Sequence, residues 1–307
     1  MKKFSWLTLA SLIGFTAFAQ SPKKNTLNPN NTLLWRISGK NIAQPSYLFG
    51  TMHMLCADDI VLSDSLTNAI KNADNVYLEL DMDNLFEMMG AMTKMKMRND
   101  TTLSDLLSAQ EYKKVKAWFT QHSKMLPFSM LETYKPLLAA SLMMEQQTGE
   151  CDKIISMEQL IMQEAKNYSI EIKGMETMVY QMSIFDSIPY QFQARQLVKM
   201  IDDGDNESGA NEMKKITDAY RSQELNKMEE MTTMDKSISG FTEILLYKRN
   251  EAWAVKLIEL LAGKSLVIAV GAGHLPGNRG LINLLRTRGY KVEPVRNDMI
   301  VKKTKEI

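Results

Sequence analysis

Two of the chain's three histidines close the same four-residue pattern. Gly50-Thr51-Met52-His53 follows the apolar run Tyr47-Leu48-Phe49. Gly271-Ala272-Gly273-His274 follows Val267-Ile268-Ala269-Val270. Each reads as a strand, a tight turn at glycine and a His just past the carboxyl end, where α/β sheets place their ligands. Imidazole is the commonest metal ligand and a general acid or base near neutral pH. His122 has no strand before it and reads as a surface helix residue.

Three further residues could work with this pair. Glu79 sits in the strand-like run Asn75-Val76-Tyr77-Leu78-Glu79-Leu80. If that strand is central, Glu79 is buried or at its carboxyl end, and a buried carboxylate needs a cation or a metal. A solvated face of an edge strand is the plainer alternative. Glu176, in Gly174-Met175-Glu176-Thr177, falls at a strand-to-helix junction, where an acid could equally complement a helix dipole. Arg249 lies four residues from both Leu245 and Trp253 in a helical stretch. There it could orient a carboxylate or stabilise developing negative charge, or lie along the surface with its stem covered.

These groups need a scaffold that delivers distant segments to one place. Residues 33–37 and 46–50 read as a hairpin, 75–80 as a strand, 169–174 as a strand ending at glycine, and 267–270 and 291–295 as closing strands. Helical patterns cover 64–72, 102–123, 155–167, 176–186, 190–202, 211–234, 241–262 and 280–288. Short strands at both ends bracket a helical middle at about 84–262. The expected fold is α/β (α+β), with a central mixed sheet built from N- and C-terminal strands and a large helical insertion. The 24 methionines read as packing material for those helices rather than as a copper site.

Lys2 and Lys3, the apolar stretch Phe4 to Phe18 and the small-x-small Ala17-Phe18-Ala19 read as a signal peptide over residues 1–19. A polar linker over 20–31, one domain over 32–301 and a basic tail over 302–307 follow. Cleavage after Ala19 takes the formal charge from +1 to −1, so nothing electrostatic calls for nucleic acid. No later segment is apolar enough to anchor in a bilayer, which leaves a periplasmic or secreted protein. Export makes one Cys56–Cys151 disulfide the favoured reading of the only two cysteines, with free thiols the alternative. No GxSxG, HExxH or P-loop is present, and Pro276 spoils a dinucleotide reading of Gly271 to Gly277.

Taken in order, Leu48-Phe49-Gly50-Thr51-Met52-His53, Tyr77-Leu78-Glu79-Leu80, Gly174-Met175-Glu176-Thr177, Arg249-Asn250 with Trp253, and Val270-Gly271-Ala272-Gly273-His274-Leu275-Pro276-Gly277 resemble the TraB/GumN family, which includes the Tiki proteases. The resemblance covers almost all of the chain after the leader. It implies a fold like erythromycin esterase and the haem-binding ChaN proteins, and an active-site set of His53, Glu79, Arg249 and His274, with Glu176 a further member. It also implies a divalent-metal-dependent hydrolase acting on a peptide or other small substrate. In the resulting scheme His53, His274 and Glu79 (or Glu176) hold Mn, Co or Zn. The remaining Glu is the general base and Arg249 the oxyanion donor. The alternative is an exported binding protein that uses the same pocket for a peptide, a saccharide or haem.

Overall fold

The computed structural model describes residues 31–39, 42–58, 60–123, 126–144, 153–204, 207–234 and 239–299. The expected leader, the basic tail and Cys151 lie outside the described residues. Along the chain come β1 (Leu34–Ser38), β2 (Ser46–Thr51), β3 (Leu55–Cys56), α1 (Asp64–Lys71), β4 (Asn75–Leu78) and α2 (Leu85–Met92). The helical middle continues with α3 (Leu103–Leu106), α4 (Ala109–His122), α5 (Phe128–Leu131) and α6 (Pro136–Met144). Then follow β5 (Ile154–Ile155), α7 (Met157–Asn167), β6 (Glu171–Gly174), α8 (Met178–Ile184), α9 (Tyr190–Gly204), α10 (Glu207–Arg221) and α11 (Leu225–Met234). The chain closes with α12 (Lys248–Leu260), β7 (Leu266–Gly271), α13 (Leu281–Thr287) and β8 (Lys291–Val295).

Six strands form one mixed sheet in the order β6-β4-β7-β2-β1-β8. β1 runs antiparallel to β2 and β8, while β2, β7, β4 and β6 are mutually parallel. The expected α/β architecture is present, and the N- and C-terminal strands pair as anticipated. The sheet also recruits β6 from the middle of the chain. β7 explains the arrangement: Leu266 to Val270 are fully buried. A continuous apolar run suits a parallel strand covered on both faces. Two-residue strands β3 and β5 form a separate small ladder, too short to leave a period in the sequence.

Among the described residues the apolar side chains form two cores. One lies on the sheet and takes in Leu48, Phe49, Val76, Leu78, Trp253, Leu257 and β7. The other belongs to the insertion, where Leu103, Val115, Phe119, Leu131, Ala139, Leu197 and Ile201 pack α3 to α6 against α9. Lys135 is buried beside it, with Nζ donating to Met182 O at 2.7 Å and paired with Asp186 at 2.8 Å. The methionines do not all pack as expected. On α2, which leans on α8, Met89 and Met92 stand exposed beside Leu85 and Phe86. The helix read over 211–234 breaks at Gln223, which takes a positive φ of 56° and bonds Leu33 and Asn297.

Gly50, next to last in β2, packs against the loop that carries His274. A Cβ there would fall 2.6 Å from Leu275 Cδ1 and 3.1 Å from Ala272 Cα. One added methyl in such a packed contact costs about 1–3 kcal/mol. We therefore expect Gly50→Ala to lower unfolding stability by about that amount in urea titrations; an unchanged midpoint would refute the packing argument.

Candidate functional site

The four parallel strands all end on one edge of the sheet, and each releases a polar group there. β2 leads to His53, β4 to Glu79, β6 to Glu176 and β7 to His274. β4 stops at Leu78, so Glu79 lies just beyond its carboxyl end instead of on an edge-strand face. Glu176 precedes Thr177, the N-cap of α8, and its N–H bonds Glu79 O at 3.1 Å. It therefore belongs to the sheet edge and not to a first helical turn. A Cβ on Gly174 would lie 2.7 Å from Glu176 O and 3.0 Å from Asp81 N, so glycine permits this close approach.

Arg249 arrives from α12 and gathers three of the four groups. Nη2 donates to Glu79 Oε2 at 2.6 Å and to Glu176 Oε1 at 2.6 Å. Nε donates to both Glu176 oxygens at 3.0 and 3.2 Å. Nη1 donates to Leu245 O at 2.9 Å and meets His274 Nε2 at 3.2 Å. The guanidinium also lies over the Trp253 ring, 4.7 Å from its centroid. α12 is preceded by a π-helical turn over Glu243–Tyr247, a feature frequent at functional sites. Arg249 and Asn250 are then both buried, as are Trp253 and Ala254. The uniform helix read over 241–262 gives way to this wider turn, which no side-chain period announces.

All five N–H groups of the guanidinium are thus engaged, on Leu245 O, His274, Glu79 and Glu176. Its work is to hold carboxylates. Further donors complete the set: Gly271 N–H to Glu79 Oε1 at 2.8 Å, Trp253 Nε1 to Glu176 Oε2 at 3.1 Å, and Gln181 Nε2 to both carboxylates at 3.2 Å.

The charge states follow. Burial pushes Glu79 up, but His274, Arg249 and the Gly271 N–H outweigh it and bring its pKa to about 2. Burial is also the main influence on Glu176. The Glu79 carboxylate adds to it, and Arg249 and Trp253 do not fully compensate, so Glu176 lies above the usual carboxylate range. One cation cannot neutralise two carboxylates. Burial, opposed by Glu79 and aided by Arg249, lowers His274 to about 4, leaving it neutral near pH 7. Asn250 Nδ2 donates to His274 O and Arg279 O, so Asn250 Oδ1 accepts from His274 Nδ1–H at 2.6 Å. That fixes the tautomer whose Nε2 carries the lone pair.

His53 stands apart from this network. Its Nδ1 pairs with Glu158 Oε1 at 3.0 Å, its side chain is 73% exposed, and Glu158 is only 15% exposed. The hydrogen bond to Glu158 raises its pKa against the effect of burial, with a smaller contribution from the charge of Glu79. Glu158 lies in the first turn of α7. No local signal singles it out, since an acid in a first helical turn is ordinary. Glu158 Oε2 and Thr51 Oγ1 are both buried; burial pushes the Glu158 carboxyl up, but His53 together with the Thr51 hydroxyl holds it below its ordinary pKa.

This donor set fits a divalent cation in its chemistry. It offers the imidazole nitrogens of His53 and His274, the ionised Glu79 carboxylate, the buried Glu158 carboxylate and more negative than positive charge. Among the described residues, however, no three His, Cys, Asp or Glu side chains converge as a metal site. Arg249 now occupies Glu79 Oε2 and His274 Nε2. A cleft of about 530 Å³ opens beside Glu176, lined also by Thr177, Tyr180, Glu87, Asp81 and Lys256.

The model of the TraB/PrgY/gumN family matches residues 33–294. The chain is 24% identical to metalloprotease TIKI2 of Danio rerio over 318 aligned positions, which cover 86% of this chain and 61% of that protein. It is 23% identical to metalloprotease TIKI1 of Homo sapiens over 359 positions, covering 95% and 70%. A shorter stretch of 56 residues is 48% identical to metalloprotease TIKI2 of Xenopus tropicalis, 17% of this chain and 11% of that protein. The chain thus spans less than two thirds of either TIKI2 protein. No solved structure matches it.

Removing Arg249 should expose the electrostatics directly. Breaking a buried ion pair costs about 3–5 kcal/mol, and we expect that loss for Arg249→Met at pH 7. The depressed pKa of Glu79 means that its stabilising share is fully present above its ordinary 4.5 and fades as pH falls towards 2. The gap between wild type and variant should therefore narrow on acidification. Denaturant unfolding at pH 7 and at about pH 4 reads this; a gap that widens in acid contradicts the charge assignment.

Proposed function

Because the chain belongs to the TraB/PrgY/gumN family, we propose that it is an exported, divalent-metal-dependent hydrolase, and most specifically a peptidase. The observation that carries this reading is the meeting of Glu79, Glu176, Arg249 and His274 at the carboxyl edge of four parallel strands. The name metalloprotease carried by the TIKI relatives agrees with it. Export rests on the leader-like N-terminus, and among the described residues no helix is long and apolar enough to cross a membrane.

In this proposal His53 and His274 bind the ion through Nε2, and Glu79 is the carboxylate ligand. When bound, Mn, Co or Zn would polarise a carbonyl and lower the pKa of a coordinated water. The two glutamates divide by charge state. Glu79, at a pKa of about 2, stays ionised and is a poor proton acceptor. Glu176 is raised and borders the cleft, which suits a general base. Arg249 keeps both carboxylates aligned, and Trp253 and Gln181 restrain Glu176. A peptide lying in the cleft would present its carbonyl beside Glu176.

A second reading has its own support. Every N–H of Arg249 is already satisfied and no metal-holding triad is formed among the described residues. That is also what a binding protein with a fixed polar floor would show. Turnover separates the two. We expect the full chain supplied with Mn, Co or Zn to cleave members of a peptide library. Glu176→Gln should lower kcat by about 10²–10⁴-fold while leaving metal content unchanged. His53→Ala with His274→Ala should abolish both metal binding and cleavage. Ligand retention without turnover under all three metals would favour the binding protein.

A Cys56–Cys151 disulfide belongs to the same proposal. The β3–β5 ladder places Ile154 opposite Cys56, three residues along the chain from Cys151. Non-reducing peptide mapping by mass spectrometry should find the linked pair; two alkylatable thiols in protein recovered from an oxidising compartment would exclude it.

A further inference from the structure

The two histidines share more than their glycine turns. His274 has Nδ1 held by Asn250 Oδ1, from α12, at 2.6 Å. His53 has Nδ1 held by Glu158 Oε1, from α7, at 3.0 Å. In each case a residue from a helix grips the same ring nitrogen, which turns Nε2 away from it; on His274 that Nε2 meets Arg249 Nη1 at 3.2 Å.

Glu158 is built to do this rather than resting there as a surface partner. Its side chain is 15% exposed against 73% for His53, so the ring is held from its inner side. The start of α7 is pinned to the His53 turn, because Met157 N–H donates to Met52 O at 3.1 Å. Ser156 caps the helix, with Oγ accepting from Gln159 N at 3.1 Å. On the other side of the turn β3 pairs with β5, just ahead of α7. The carboxylate therefore approaches the ring from a fixed backbone, unlike an exposed ion pair between mobile side chains.

We propose that Glu158 is the positioning residue of His53: it accepts from Nδ1–H, sets the ring orientation and presents the Nε2 lone pair to the site. A carboxylate in this place makes the imidazole a stronger donor. Asn250, being neutral, gives His274 orientation without charge. The two ligands are then deliberately unequal, a strong one at the mouth of the site and a weak one at its floor. This rests on the proposed metal-dependent reading for its purpose, but the geometry it asserts is independent of any metal.

The test reads the tautomer first. Full-length protein labelled with ¹⁵N-histidine is observed metal-free at about pH 9, where imidazole is neutral, with His53→Ala for assignment. Wild type should show His53 as the Nδ1–H tautomer. Glu158→Gln, which retains an acceptor oxygen, should keep it, and Glu158→Ala should shift it towards Nε2–H. In parallel, Co(II) titration should show the dissociation constant rise about 10–100-fold in Glu158→Ala, and less in Glu158→Gln. A wild-type His53 in the Nε2–H form, or a tautomer indifferent to Glu158→Ala, overturns the proposal. A Glu158-dependent tautomer in a protein that binds no Co(II), Mn(II) or Zn(II) upholds the positioning role and overturns the metal-dependent function instead.

Discussion

Arg249 has no spare hydrogen-bond donor, and that saturation organises the rest of the molecule's polar edge. Two glutamates leave neighbouring strands within reach of each other, in surroundings that exclude water. Without a shared cation, their repulsion and burial would drive at least one to take up a proton. With it, one carboxylate stays firmly ionised while the other is left raised. The shared guanidinium, with His274 and the Gly271 N–H acting on Glu79, thus leaves two chemically different acids from the same side chain type.

The sheet makes this possible through topology. Parallel strands release their carboxyl ends on one side, so segments separated by well over a hundred residues deliver their polar groups to one line. The apolar interior of β7 provides the rigidity, since every residue from Leu266 to Val270 is fully buried. α12 then supplies Arg249, Asn250 and Trp253 from a helix whose preceding π-turn breaks the regular period. The His53 turn lies at the other side of this line, where α7 takes over support through Met157 and Glu158.

Much of this was readable from residues alone, and the failures have physical causes. The glycine-His turns, the strand before Glu79 and the apolar run of β7 announce themselves because the sheet imposes alternation or continuous burial on local sequence. The place of β6 in the sheet does not, because partner choice is settled by contacts between distant segments. Glu158 was invisible for the same reason: it reads as an ordinary first-turn acid, and only packing brings it to His53. The hydrogen-bond partners of Arg249 are likewise settled by packing, which a sequence cannot supply. The pairing of Cys56 with Cys151 stays a proposal, because Cys151 falls outside the described residues.

The buried Lys135 gives the helical insertion a stake in all this. Its ammonium grips the Met182 carbonyl, next to Gln181, whose amide touches both glutamates. The insertion has its own apolar core, separate from the one on the sheet. Any shift of that core relative to the sheet would carry Gln181, Tyr180 and the near wall of the cleft with it. The strand edge thus sets which groups react, and the insertion sets the shape of the wall they face.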